Sequence, residues 1–206
     1  MSAAEFARGQ GIQEVLHYTS ERGAMGTVMK KALLSREQVE NDSDIAFIFE
    51  GIWERKDPEW VDYISLSLSR INLDLFRRSR RHFPDYWWAI LSFDVEILDH
   101  DGVWFTTTNN TYPVCSRAQG EDGLAAMFAP QVPWGRKGSV KIRYPGMSEA
   151  WTTCEAAEVL YPQRIALEYL RRIYVPGAQH RRLVQAWAEV YGAGELSVEV
   201  NPGSFA

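Results

Sequence analysis

Cysteine is scarce in this chain: Cys115 and Cys154 are its only two, too few for a disulfide framework or a cysteine-built metal cluster. No apolar run approaches the ~20 residues a helix needs to cross a bilayer. The N-terminus has no basic stretch followed by an apolar one, so the expectation is a soluble, cytoplasmic protein with no membrane association and no metal. Excess positive charge is missing too. The 22 Lys and Arg set against 27 Asp and Glu leave a formal charge of −5, which excludes a generic nucleic-acid coat protein; any polyanion must be met by a local basic patch. Internal repeats and low-complexity tracts are absent.

What the chain has instead is apolar and aromatic mass. Its 206 residues are 46% hydrophobic, enough for one substantial core and a single domain over 1–206. Eight Trp, nine Tyr and nine Phe argue against disorder. Residues 15–18 read as a first strand, and 23–31 as a helix with Met25, Val28 and Met29 at helical spacing. A second helix is expected over 37–53, with Ile45, Ile48, Phe49 and Ile52 on one face and a break at Lys56-Asp57-Pro58. Residues 61–67 alternate with a period of two, and 87–93 are nearly continuously apolar, as in a central strand. A turn at 95–98 and a strand at 102–107 follow. Residues 109–151 are rich in glycine and proline, broken by one helix at 123–128, and a loop-rich insertion this long is usually functional. Strands at 157–160 and 164–169 and a helix at 180–191 close the chain. The pattern is α+β, with a twisted, mainly antiparallel sheet.

Two stretches carry chemistry. Val159-Leu160-Tyr161 forms a short apolar strand with Glu158 at its entry, a carboxylate on rigid backbone that can hold a hydroxyl or take a proton. Far upstream, His17 and Thr19 lie two residues apart on one strand face. An isolated His-x-Thr is more often a satisfied histidine at a strand end than a ligand site. Glu155, three residues before Glu158, competes with it; in an extended segment the two face opposite sides, so only one enters a cleft.

The segments Gly11-Ile12, Leu16-His17-Tyr18-Thr19, Gly26-Thr27-Val28 and Leu33-Leu34-Ser35-Arg36 resemble the opening of the DarT family, bacterial toxins that ADP-ribosylate bases in single-stranded DNA. The resemblance continues through the stretch from Tyr63 to Asn72, Trp87 to Asp94, Thr107-Thr108-Asn109-Asn110 and Ala157 to Pro162, and so covers nearly the whole chain. Ser69-Arg70-Ile71-Asn72 and Thr107-Thr108-Asn109-Asn110 look more like the subgroup associated with guanine than the one associated with thymine.

The resemblance implies an ADP-ribosyltransferase-like fold whose sheets form an NAD cleft, NAD as the consumed co-substrate, single-stranded DNA as acceptor, and a macrodomain antitoxin as partner. It makes Glu158 and Arg70 catalytic. It assigns His17, Tyr18, Thr19, Gly26, Leu34 and Arg70 to NAD, with His17 on the adenosine ribose, Thr19 on the nicotinamide side and Arg70 on the phosphates. Asn72 points the same way or caps a turn. For DNA, Arg77, Arg78, Arg80 and Arg81 form the strongest basic cluster, beside the stacking surfaces of Phe83, Tyr86, Trp87 and Trp88. The bland alternative for that cluster is a solvated loop. A second cluster, Arg136-Lys137 with Lys141 and Arg143, lies in the insertion; counted to the catalytic strand this insertion spans 109–157, and the resemblance makes it the substrate-binding surface. Asn109, Asn110 and Trp151 are its candidate base contacts. Arg171, Arg172, Arg181 and Arg182 read as exposed decoration of terminal helices. A non-catalytic interaction module, transfer to RNA or protein, and simple NAD hydrolysis stay open as alternatives.

Overall fold

The computed structural model describes residues 1–46, 58–135 and 138–205. The chain opens with helix α1 (Ala3–Gly9), which the sequence reading passed over. Ser2 and Glu5 form a reciprocal capping box, the Ser2 hydroxyl accepting from Glu5 N at 3.2 Å and the Glu5 carboxylate accepting from Ser2 N at 2.9 Å. Its buried face is built from Ala3, Ala4 and Ala7.

The centre of the molecule is an eight-stranded sheet. Its strands are β1 (Val15–Ser20), β3 (Tyr63–Leu68), β4 (Trp88–Phe93), β5 (Trp104–Thr106), β6 (Arg117–Ala118), β9 (Glu158–Pro162), β11 (Leu170–Val175) and β12 (Val198–Val200), in the order β12-β11-β4-β1-β3-β9-β5-β6. Every pairing is antiparallel except β11 with β12. Smaller two-stranded sheets join β2 (Ala32–Leu34) to β10 (Arg164–Ala166), and β7 (Gln131–Pro133) to β8 (Val140–Ile142). The α+β, mainly antiparallel architecture expected from the alternation is the one observed. In β3 the period of two is literal, with Ile64, Leu66 and Leu68 buried and the residues between them half-buried.

One feature of register makes the functional site. β1 runs alongside β4 over its whole length, from Val15 opposite Phe93 to Ser20 opposite Trp88. With β3 it pairs only at Val15 and Leu16. Beyond Leu16 the sheet therefore splays, and the polar residues of β1 line the gap. Helix α2 (Glu21–Lys30) follows at once, its N-terminus capped by the Ser20 hydroxyl, which accepts from Gly23 N at 3.4 Å. Its buried face is Ala24, Gly26, Thr27 and Val28, so Val28 but neither Met25 nor Met29 enters the core.

Several boundaries differ from the sequence reading. Helix α3 is only Arg36–Glu40. The run Asn41-Asp42-Ser43-Asp44 ends it, because these side chains offer the backbone rival hydrogen bonds: Asn41 Nδ2 donates to Glu37 O at 2.9 Å and Asp42 Oδ1 accepts from Asp44 N at 3.0 Å. Ile45 is buried, while Ile48, Phe49, Ile52 and the expected break at Lys56-Asp57 lie outside the described residues. The basic cluster is not a loop but helix α4 (Leu73–His82), with Phe76 fully buried beneath it; Asn72 caps it, accepting from Leu75 N at 3.1 Å. Of the strand expected at 164–169 only Arg164–Ala166 is strand, β10; Leu167–Tyr169 form a 3₁₀ turn, and the separate β11 follows them. Arg171 and Arg172 therefore lie on a strand, while Arg181 and Arg182 belong to helix α6 (Ala178–Val190). The insertion holds β6, helix α5 (Gly120–Ala126) and the β7–β8 hairpin. Among the described residues no helix is long and apolar enough to cross a membrane, and no cluster of three or more His, Cys, Asp or Glu could hold a metal.

Candidate functional site

The splay between β1 and β3 opens a cavity of about 630 Å³, well inside the range of roughly 300–1,000 Å³ usual for small-molecule and cofactor sites. One wall comes from β1 and α2: His17, Tyr18, Thr19, Gly23 and Gly26. β2 contributes Leu34, β3 contributes Tyr63 and Ser65, and α4 with the segment after it contributes Arg78, Phe83 and Tyr86. The insertion contributes Asn109, Tyr112 and Trp134, and both Glu155 and Glu158 line the same space. His17, Tyr18, Thr19, Gly26 and Leu34 thus meet Glu158, far from them in sequence, at one cavity.

Each is held by identifiable forces. His17 Nδ1 lies 3.0 Å from Ser65 O, across the gap where β1 and β3 part. A carbonyl oxygen only accepts, so Nδ1 carries the proton; in the neutral ring Nε2 is then the acceptor. Tyr18 packs its ring against Phe76 and Trp88 at 5.2 and 5.9 Å between centroids, with its hydroxyl 3.5 Å from Ser79 Oγ. Burial, reinforced by the charge of Glu158, pushes that hydroxyl up to about 12, so it keeps its proton. Thr19 stands against Gly23: a Cβ built at Gly23 would lie 2.0 Å from Thr19 Oγ1, so only glycine leaves this hydroxyl where it is.

Glu158 is fixed at every point. Its backbone N donates to Thr106 Oγ1 at 3.0 Å, and Thr106 in turn donates to Thr108 O at 2.8 Å. One carboxylate oxygen accepts from Asn110 N at 2.7 Å. Asn110 is itself clamped by Arg117, whose Nε donates to its side-chain oxygen at 2.6 Å and whose terminal nitrogen donates to its carbonyl. Asn110 is only 2% exposed, so it braces Glu158 from behind instead of meeting an acceptor, contrary to the sequence reading. No sequence pattern singles out Arg117; it matters only because β6 pairs with β5 and brings it beside Asn110.

Glu155 corrects a second expectation. Residues 152–157 are a succession of turns, not a strand, so the alternation that would keep Glu155 out of the cleft does not operate. Lys141 Nζ binds Glu155 Oε1 at 2.7 Å. Burial alone would raise the Glu155 carboxyl; the bond to Lys141, its own backbone amide and the charge of Arg70 outweigh that and hold it below the usual carboxylate range.

Arg70 does not line the cavity. It follows Ser69, whose φ is +58°, and its backbone N donates to Leu68 O at 2.6 Å in a tight three-residue turn. Its guanidinium lies over the Trp151 ring, 4.1 Å from the centroid, so Arg70 and Trp151 engage each other. Trp151 is likewise absent from the cavity wall, and Arg143 donates to its carbonyl at 2.6 Å. Among the α4 arginines, Arg78 alone reaches the cavity. Arg77 and Arg81 are exposed on the helix, Arg77 3.9 Å from Asp74. Arg80 donates to Phe205 O at 3.2 Å and covers the Phe76 ring, tying the helix to the C-terminal turn. Phe83 and Tyr86 stack on each other at 5.8 Å and Trp88 joins them at the wall. Trp87 points elsewhere, against His180 and Trp187. Asn109 lines the cavity with its side-chain oxygen accepting from Thr111 N at 3.1 Å. Arg136 and Lys137 lie outside the described residues.

With this geometry in place, comparison with known proteins is specific. A protein family described as "ssDNA thymidine ADP-ribosyltransferase, DarT" matches residues 22–206. Among solved structures, the chain is similar to Thermus sp. 2.9 DarT in complex with NAD⁺, at 12% identity and a TM-score of 0.64 over 94% of this chain and 98% of that one. It is equally similar to Thermus sp. 2.9 DarT in complex with ADP-ribosylated ssDNA, at 12% identity and a TM-score of 0.63 over 95% and 97% of the two chains. Thermosipho africanus DarTG in complex with ADP-ribose matches at 14% identity and a TM-score of 0.55, over 94% of this chain and 51% of that one. No curated protein sequence matches.

Proposed function

The chain belongs to the DarT family of NAD-dependent single-stranded-DNA ADP-ribosyltransferases, and on that footing we propose that it transfers ADP-ribose from NAD to a guanine, as the toxin of a toxin–antitoxin pair. The observation that carries the reading is the meeting of His17, Thr19 and Glu158 at one cavity. The Thermus relatives, with NAD⁺ in one structure and ADP-ribosylated ssDNA in another, supply the substrates the cavity has to fit.

The residues fit NAD. His17 Nε2, an acceptor while Ser65 holds the Nδ1 proton, receives a ribose hydroxyl. Thr19 faces the nicotinamide half. Glu158, braced by Asn110 and Thr106, orients the second ribose through its 2′-hydroxyl and stabilises the positive charge that develops at the anomeric carbon as its bond to nicotinamide breaks. The exocyclic amine of the acceptor base forms the new bond to that carbon, nicotinamide leaves neutral with the bonding pair, and the amine's proton passes to the Glu158 carboxylate and on to solvent. Arg78 at the cavity wall, with Phe83 and Tyr86 beside it, suits a single strand entering from the α4 side. Arg77 and Arg81 extend that positive surface along the exposed face of α4.

The family's description names thymidine. Guanine is the choice here because Ser69-Arg70-Ile71-Asn72 and Thr107-Thr108-Asn109-Asn110 look like the guanine-associated subgroup. A macrodomain antitoxin is the partner that the resemblance implies. Nearly half of the DarTG chain lies outside its match to this protein, which fits a toxin module joined there to another.

Calorimetric titration of NAD into Gly23→Ala tests the binding half of this reading. Alanine is the better helix former by about 1 kcal/mol, so α2 should hold and the melting temperature should stay within a few degrees. The added methyl, however, falls on the Thr19 hydroxyl, and NAD affinity should drop by roughly tenfold, the worth of about one hydrogen bond. An unchanged affinity would place NAD away from Thr19.

A further inference from the structure

The cavity contains a second carboxylate for which the transfer step has no use. Glu155 lines it together with Tyr112 and Trp134, all from the insertion. The two rings meet edge-to-face at 6.3 Å. Lys141 lies 4.6 Å from the centre of the Trp134 ring and grips Glu155 Oε1, yet is not itself part of the cavity wall, so its charge backs the carboxylate from behind. The result is an anionic acceptor held by Lys141 in a cavity that Tyr112 and Trp134 also line, contributed by the insertion and not by the His17–Thr19 strand. Aromatic faces with a hydrogen-bonding group at their edge form a receptor for an unpaired base.

An ionised carboxylate only accepts, and its two oxygens offer about four acceptor positions. Lys141 and the Glu155 amide use part of that capacity; the remainder can take two donors. Along their Watson–Crick edges thymine presents one donor between two carbonyls, while cytosine and adenine each present an amine next to a ring acceptor. Guanine alone presents two adjacent donors, the ring N1–H and the exocyclic amine. Any other base turns a lone pair toward the carboxylate.

We propose that Glu155 selects guanine as the acceptor base by receiving the ring N1–H and one amine hydrogen of its Watson–Crick edge. This rests on the base-transfer reading above and assigns its specificity to a residue. Lys141, in the same scheme, is a positioning residue that keeps the carboxylate ionised and aimed.

The test uses oligonucleotides identical except for one guanine, thymine, cytosine or adenine, with mass spectrometry of the adducts formed by the native protein, Glu155→Gln and Glu155→Asp. Glutamine puts a donor where an acceptor is needed, so transfer to guanine should fall on the order of 10²-fold, the upper end of what leaving one buried hydrogen-bonding group unmatched costs. The guanine-over-thymine ratio should collapse with it, while NAD affinity stays within about twofold. Glu155→Asp keeps the charge and should retain the ratio at a reduced rate; it decides the matter if Glu155→Gln does not fold. A native ratio in Glu155→Gln or, where Glu155→Gln does not fold, a lost ratio in Glu155→Asp would overturn the assignment and leave the base-transfer reading standing. Native protein that modifies thymine alone would overturn the choice of guanine itself.

Discussion

Replacing Glu158 with Gln yields a folded protein that transfers ADP-ribose on the order of 10²- to 10³-fold more slowly, the usual cost of removing one electrostatic contact to a developing charge. The substitution is close to isosteric. Thr106 binds the backbone of residue 158, and the Asn110 amide can donate to the glutamine carbonyl as it does to the carboxylate, so the anchoring contacts persist. What disappears is the negative charge facing the ribose and the acceptor for the amine proton. Nicotinamide release should therefore slow with and without DNA, while the melting temperature stays within a few degrees. Steady-state nicotinamide release read beside thermal denaturation checks both halves. Near-native release from Glu158→Gln would remove this residue from the chemistry.

Arg117→Met is expected to lower kcat by roughly 10- to 100-fold with little change in KM for NAD. Arg117 does not line the cavity; it holds the side chain and carbonyl of Asn110, and Asn110 N holds Glu158. Losing the guanidinium lets the Thr107–Asn110 segment relax, and a shift of about 1 Å at a reacting group costs up to 10²-fold. Methionine keeps an apolar stem of similar length but also loses the guanidinium 5.9 Å above the Trp60 ring. The melting temperature is therefore read beside kcat to separate the lost clamp from lost packing. Full kinetic curves separate the two constants, and a rise in KM with native kcat would show Arg117 acting on binding instead.

The strands were legible because the signals that define them are local. Alternation marked β3, continuous apolarity marked β4, and Val159-Leu160-Tyr161 marked β9. Helix α4 was hidden because its apolar side is only Leu73 and Phe76, three residues apart and followed by a run of arginines, so its charge spoke louder than its period. Helix α3 was drawn too long because Ile45 continues its apolar spacing, although Asn41-Asp42-Ser43-Asp44 had already ended it. At the site, His17, Thr19 and Glu158 could be singled out from the resemblance, but the splay beyond Leu16 that opens the cavity depends on register between distant strands. The same is true of the Arg70–Trp151 contact, the burial of Asn110 and the entry of Glu155, none of which any spacing rule encodes.

The central claim is that this cavity moves ADP-ribose from NAD onto a base of single-stranded DNA. Incubating the protein with NAD labelled in its adenosine half, and with single-stranded DNA, the matching duplex, RNA, a protein mixture or no acceptor, tests it in one measurement. The account predicts label on the single strand alone, carried as an ADP-ribosyl adduct on guanine in the mass spectrum and lost in Glu158→Gln. Label confined to RNA or protein, or nicotinamide release with no adduct on any acceptor, would contradict it.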